Sequence, residues 1–316
     1  MRSSPTAFLI LAHTWPQQVS RLVERLDAPD WRSFVHVDRK TDIAPFRDVI
    51  PPHCDCSFLD RNRVVVRWGG FSVVEAALNL IDEARRAMPE AERFCLLSGA
   101  DYPIRSQAEI AAAFSDGRDF MKINGELDPR GNGSHDENVR YPFWGDVEIF
   151  NPRSSPVPVV ERIANRVSRL VPRKPPAGFR FFHGSCWWSL TRDTLEAVLA
   201  EMEAQPDLRA WFRRVKIADE IFFPSLVRRV RPGFRDDARV ERNLHGAHYI
   251  DWTTPNPTRP KVLELDDLGS LTRSSALFAR KFDPHRSASL MEALDRRNAL
   301  AEAAAFTRPV RQAQPG

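Results

Sequence analysis

Phe94-Cys95-Leu96-Leu97-Ser98-Gly99-Ala100-Asp101-Tyr102-Pro103-Ile104-Arg105 opens with an apolar run and closes in a turn that carries one carboxylate. Apolar residues in succession, bounded by Gly99 and Pro103, suit a central strand of a parallel sheet, buried on both faces. Open α/β sheets bind their ligands in the crevice at the carboxyl ends of such strands, which is where Asp101 falls. Gly, Asp and Pro also make turns for steric reasons alone, so both a turn role and a chemical role are open to Asp101.

Moving outward, Phe8-Leu9-Ile10-Leu11-Ala12 is a second buried-strand run, ending at His13. Val19, Leu22, Val23 and Leu26 then recur at helical spacing, and Ser33 to Asp38 forms the next strand, followed by Lys40. This strand-helix-strand unit brings His13, Asp38 and Asp101 to one sheet edge. Val64-Val65-Val66 reads as a third strand, leading into Arg67-Trp68-Gly69-Gly70-Phe71-Ser72. Ser72 with Glu75, and Ser106 with Glu109, have the spacing of capping boxes, each opening a helix. Trp68 reads equally as core or as ligand-facing. Through Phe120-Met121-Lys122-Ile123 the pattern is βαβ-like.

The texture then changes. Asn124 to Asn138 is rich in Gly, Asn and Asp, and Tyr141-Pro142-Phe143-Trp144 sets aromatics in a loop, suited to sugar faces or to core filling. Val159, Val160, Ile163, Val167 and Leu170 mark a helix with Arg162, Arg166 and Arg169 on another side, followed by a stiff basic linker, Pro172-Arg173-Lys174-Pro175-Pro176. Such a helix serves either as a solvated face or as a contact with an anionic membrane. Phe179 to Leu190 returns to strand character, and Thr191 caps the next helix. Asp219-Glu220 precedes Ile221-Phe222-Phe223; carboxylates among bulky apolar residues are either hydrogen-bonded structure or a working acid/base.

Composition limits the alternatives. The 316 residues are 42% hydrophobic and 28% charged, ordinary for a soluble chain with room for one large domain and a cleft. Lys and Arg number 46 against 42 Asp and Glu, a mildly basic balance that allows anionic ligands without demanding nucleic acid. Ala7 to Ala12 is far shorter than the ~20 residues of a membrane span, so neither a signal peptide nor an anchor is expected. Cys54, Cys56, Cys95 and Cys186 are too scattered for a disulfide framework, and reduced thiols in a cytoplasm are expected. Neither Gly-x-Gly-x-x-Gly nor a Walker A sequence occurs, which leaves a dinucleotide fold and a P-loop unsupported.

Taken together and in order, Phe8-Leu-Ile-Leu-Ala-His13, Val35-His-Val-Asp38-Arg-Lys40, Arg67-Trp-Gly-Gly-Phe-Ser72, Leu97-Ser-Gly-Ala-Asp-Tyr-Pro103, Gly184-Ser-Cys-Trp-Trp-Ser189, Ala218-Asp-Glu-Ile-Phe-Phe223 and Leu277-Phe-Ala-Arg-Lys-Phe-Asp283 resemble the motif set of the core-2/I-branching glycosyltransferases. That family includes N-acetylglucosaminyl branching enzymes and peptide O-xylosyltransferases. The resemblance covers about residues 7 to 285. It implies a GT-A type α/β fold: a Rossmann-like, mostly parallel sheet flanked by helices and joined to an acceptor half. The expected division is a single catalytic domain over 1–290, with a nucleotide half to about 123 and an acceptor and diphosphate-binding half beyond it. Residues 291–316 are expected to form a C-terminal helix that frays.

The same resemblance implies inverting, metal-independent transfer of a sugar, GlcNAc or xylose, from a UDP-sugar to a glycan, lipid-linked or peptide hydroxyl. Glu220 matches the general base and Asp219 would orient it. GT-A enzymes commonly hold a divalent ion on Asp-x-Asp, but this turn supplies only Asp101, so no metal cofactor is expected. Arg259 and Lys281 match a basic pair on the diphosphate, with Arg273 and Arg280 as nearby rivals. His13 and Asp38 would face uracil and ribose, and Trp68 and Tyr102 would line the donor pocket with Asp101. With no animal-type anchor or disulfides, a bacterial cytoplasmic form is expected, with peripheral membrane contact through the basic helix left open. Two other classes stay open. A non-catalytic nucleotide-sugar or glycan binder would need no Asp219-Glu220 pair, and a nucleic-acid binder would need clustered rather than scattered arginines.

Overall fold

The computed structural model describes residues 4–146, 158–234, 241, 243–253 and 259–307. Ten strands are formed among them: β1 Thr6–Ala12, β2 Trp31–Val37, β3 Cys56–Phe58, β4 Arg93–Ser98, β5 Asp101–Pro103, β6 Phe120–Leu127, β7 Phe181–Thr191, β8 Leu244–His245, β9 His248–Ile250 and β10 Phe278–Arg280. The helices are α1 Pro16–Arg25, α2 Ala44–Val49, α3 Ser72–Ala87, α4 Gln107–Phe114, α5 Asp136–Arg140, α6 Pro158–Ser168, α7 Arg192–Ala204, α8 Pro206–Phe212, α9 Phe222–Val230, α10 Leu268–Arg273 and α11 Ala288–Thr307. The frayed end expected after α11 lies outside the described residues.

The larger sheet has the order β3-β2-β1-β4-β7-β6. β3, β2, β1 and β4 run parallel, whereas β7 is antiparallel to both β4 and β6. β1 and β4 are buried almost end to end because helices cover both faces, which is why their sequences read as unbroken apolar runs. Two cores result. One packs Leu9, Phe94, Leu96 and Trp188 against α3, α7 and α9; the other packs Phe8, Ile10, Cys95 and Leu97 against α1 and α4. β6 continues past residue 123 and joins the larger sheet through β7, so that sheet includes chain from both expected halves.

A smaller sheet, β5-β10-β9-β8, sits beside the carboxyl end of β4. Its strands are two or three residues long, and its packing is supplied by Tyr102, Leu263, Phe282, Leu290 and Leu294 under α11.

The structure corrects several local expectations. Val64-Val65-Val66 is not a strand; the third strand is Cys56–Phe58. The valine run crosses the end of β2 through single hydrogen bonds instead: Arg39 N to Val64 O, and Val64 N to His36 Nε2. The Ser106–Glu109 capping box forms, but the one at Ser72 does not. Ser72 lies inside α3, and Asp146 caps that helix by accepting from Ser72 N at 2.7 Å and Ser72 Oγ at 2.7 Å. Gly70 makes this approach possible, since a Cβ there would lie 2.3 Å from Asp146 Oδ1. Pro172–Pro176 is no free linker. The Arg173 guanidinium stacks 3.9 Å from the Trp211 ring and donates to the Arg214 and Trp211 carbonyls, and burial lowers its pKa to about 10.

Candidate active site

Because β1, β2 and β4 are parallel, the residues that follow them meet at one edge. Asp38 N donates to Ala12 O and Gly99 N to Leu11 O, both at 2.8 Å, tying the three strand ends together. β7 runs the other way, so its first residues, His183 to Cys186, reach the same edge. The 3-10 turn Ala218–Glu220, just ahead of α9, packs against β7.

Glu220 keeps 35% of its side chain accessible and meets His183 Nε2 at 3.0 Å. Asn124 Nδ2 lies 3.0 Å from His183 Nδ1. With the amide donating there, the proton of a neutral ring sits on Nε2 and points at the Glu220 carboxylate. His135 stacks on His183 at 4.0 Å with an interplanar angle of 9°, fixing the ring plane. Gly184 follows because a Cβ there would lie 2.2 Å from Lys122 O, so only glycine lets β7 close on β6 beside His183. The turn is braced from behind by Ile217, whose N donates to Gly69 O at 2.7 Å. Ile217 has φ +50°, an uncommon conformation for a β-branched residue and typical of strain held at functional turns.

Asp219 differs from its neighbour. Burial first, and Glu220 second, push its pKa up to about 7. The folded chain therefore holds a proton that the unfolded chain releases near 3.8, so stability from this group falls as pH rises through that window. Asp219→Asn is expected to raise the melting temperature at pH 7.5 and to converge with the parent near pH 4. Thermal melts across that range check it; a difference independent of pH would remove titration of Asp219 as the cause.

Cys186 of β7 feels the charges of Asp219, Glu220 and Arg280, so the carboxylates and a cationic group both lie near this stretch of β7. Partial burial, then Arg280 and Arg259, lower the Lys281 pKa, so the three cations share one small region. Arg280 is the most tightly held. Its guanidinium lies 4.3 Å over the Trp187 ring, and Nη1 donates to Asp101 Oδ1 at 2.9 Å across the β5–β10 pair. His13, after β1, has its pKa lowered by partial burial and by Lys281, with Asp38 opposing. Asp38 is buried, accepts from Lys40 N at 3.0 Å and pairs with Lys40 Nζ at 3.2 Å.

The structure thus brings Glu220, Asp219, His13, Asp38, Arg259 and Lys281 to one edge, and two expected donor contacts are corrected. Tyr102 is fully buried, and its hydroxyl donates to Asp295 Oδ1 at 2.7 Å, so it is core and cannot line a pocket. Asp101 is also fully buried, accepting from Ser98 N, His248 Nε2 and Arg280. Its carboxylate reaches the edge only through the Arg280 guanidinium it holds. Trp68 is 77% exposed, which excludes a core role; it precedes Gly69, the acceptor for Ile217. Arg273 belongs to α10 and is exposed. His183, Asn124, His135 and His248 were not singled out from sequence; the visible signal was His183 directly ahead of the Gly184-Ser-Cys-Trp-Trp run.

Two other clusters lie at the opposite edge. A cavity of about 930 Å³ is lined by Arg93, Asp119, Thr191 and Arg231. Its side chains are committed to structure: Asp119 holds Thr191 and Thr194, and Arg93 donates to Ser189 and two carbonyls. Asp27, His53 and Cys54 bring ligand atoms within 4.8 Å of one another, but near the amino-terminal ends of the strands.

Comparison with known proteins agrees with this arrangement. The family model described as "Branch: Core-2/I-Branching enzyme" matches residues 6–272. Similar proteins include xylosyltransferase oxt of Drosophila melanogaster, 24% identical over 85% of this chain and 30% of the relative. Xylosyltransferase 2 of Rattus norvegicus is 25% identical over 92% of this chain and 33% of the relative, and the xylosyltransferase of Ciona intestinalis 25% over 88% and 32%. The chain therefore spans about a third of the length of these curated relatives. A family match over residues 6–272, most of the chain, means that this chain belongs to the Core-2/I-branching family of glycosyltransferases.

Proposed function

We propose that the protein transfers a sugar from a UDP-sugar to an acceptor hydroxyl by single displacement with inversion. The observation that carries this reading is Glu220, accessible and aimed by His183, with Arg280 near the same stretch of β7 and Lys281 beside it. In the reaction the acceptor oxygen attacks the anomeric carbon, its proton passes to Glu220, and the bond to the diphosphate breaks on the opposite face of the sugar. His183 positions the base. The charge that develops on the leaving diphosphate is met by Arg280, held in place by Asp101 and Trp187, with Arg259 and Lys281 beside it. His13 and Asp38 supply polar contacts for the nucleoside, and Trp68 offers an apolar face at the rim.

Xylose and GlcNAc are the donor sugars to test first, xylose because the similar proteins are named xylosyltransferases. The acceptor is a glycan, lipid-linked or peptide hydroxyl. The test is UDP release and product formation with UDP-xylose, UDP-GlcNAc and UDP-glucose over a panel of such acceptors, alongside thermal shift with each donor. A ligand at about 100 times its Kd stabilises by about 2.7 kcal/mol, so binding is readable even before an acceptor is found. If no UDP-sugar shifts the melt or is turned over, the reading fails.

Fixed cations also make a metal unnecessary. We propose that initial rates in excess EDTA equal those with Mn²⁺. Lys281→Ala should weaken UDP by about 1–3 kcal/mol in calorimetry, the range for a lost charged hydrogen bond. Activity lost to EDTA and restored by Mn²⁺ would overturn the assignment.

A further inference from the structure

The surface of α6 is inverted relative to an ordinary surface helix. Its polar residues face the protein: Asn165 Oδ1 accepts from Trp144 N at 3.0 Å, and Ser168 Oγ from Trp144 Nε1 at 2.6 Å. Among its described residues, Ile163 and Val167 face out. Ile163, Val167, Leu170 and Val171 are 57%, 58%, 79% and 69% exposed, and their spacing sets them on one stripe of the helix and the turn that follows it. Arg162 and Arg166, both exposed, follow the same periodicity along one flank of that stripe, and Arg169, paired with Glu137 at 2.8 Å, continues the row. A globular helix turns its apolar stripe inward, so an outward stripe of this kind marks a surface that meets something apolar.

We propose that α6 is a peripheral membrane contact that lies in the interface of an anionic bilayer, its apolar stripe among the acyl chains and its arginines at the headgroups. Charge selects this occupant. A second copy docked on the same stripe would bring two rows of arginine together, whereas acidic headgroups complement the row. Among the described residues no helix is long and apolar enough to span a bilayer, so the contact is one of lying on the surface. The inference does not depend on the catalytic reading, since α6 holds none of the residues placed in the reaction.

The test is co-sedimentation of the full chain with vesicles of phosphatidylcholine alone or with about 30 mol% phosphatidylglycerol. Binding is expected for the anionic vesicles at low salt, and weakening at high salt. A triple substitution, Ile163→Gln, Val167→Gln and Leu170→Gln, should reduce the partition coefficient at least about tenfold. Arg162→Glu with Arg166→Glu should abolish the preference for anionic vesicles. An unchanged melting temperature and far-ultraviolet circular dichroism in both variants show that the body is folded, and, needing no UDP, keep the two readings apart. Absence of vesicle binding, binding indifferent to both variants, or a concentration-dependent dimer that the triple substitution dissolves would overturn the proposal.

Discussion

Glu220→Gln is expected to lower sugar transfer by about 10²–10⁴, the range for a lost general base, while UDP affinity stays within about twofold of the parent. The substitution isolates the proton. An amide oxygen in the same place still accepts from His183 Nε2, which lies 3.0 Å from the native carboxylate, so neither the 3-10 turn nor the stacked His135–His183 pair should move. What the amide lacks is basicity. Asp219 is the alternative base beside it; burial and Glu220 raise its pKa to about 7 and its side chain is engaged with Cys186, whereas Glu220 is the carboxylate aimed by His183. His183→Gln sharpens the assignment, because it removes a positioning residue and leaves the base. Its kcat should fall by less than that of Glu220→Gln, with the acid limb of the pH profile displaced. Single-turnover rates and UDP calorimetry on both variants are the measurements; near-normal turnover in Glu220→Gln would move the base elsewhere.

The parts of the molecule legible from sequence were those in which one physical demand dominates. β1, β2 and β4 read correctly because strands covered on both faces must be apolar throughout, and a run such as Phe8–Ala12 has few other uses. Strands of two or three residues have no period to read, so β5, β8, β9 and β10 were invisible, and with them the cross-strand pairing that sets Arg280 opposite Asp101. Val64–Val66 misled because β-branched composition fits a pleated surface without requiring one. The cap of α3 came from Asp146, 74 residues away, and no local pattern carries that information. Aromatics were ambiguous in both directions: Tyr102 is core and Trp68 is surface, and sequence alone cannot separate a ring in a pocket from a ring in a core. Glu220 was singled out through family motifs, whereas His183, which meets it, and Asn124, which meets His183 because β6 and β7 are adjacent, carried no such signal.

Asp101→Asn is expected to destabilise the fold by about 3–5 kcal/mol, the cost of breaking a buried charge pair from one side. Both carboxylate oxygens are in use as acceptors. Oδ1 accepts from Arg280 Nη1, and Oδ2 from Ser98 N at 2.8 Å and His248 Nε2 at 3.2 Å. An amide cannot serve both sides, because whichever way it turns its NH₂ meets a donor. Arg280, only 16% accessible, is then left without its counter-charge, and UDP affinity should fall with stability because the guanidinium is no longer held over Trp187 and beside Lys281. Urea unfolding with an unchanged m-value, together with UDP titration, reads both effects. The same variant separates this role from metal binding. A carboxylate whose purpose is to hold a divalent ion would lose little stability as the amide, and its lost rate would return with millimolar Mn²⁺. A lock on Arg280 predicts the reverse: a large loss of stability, a weaker diphosphate site, and no rescue by any concentration of metal.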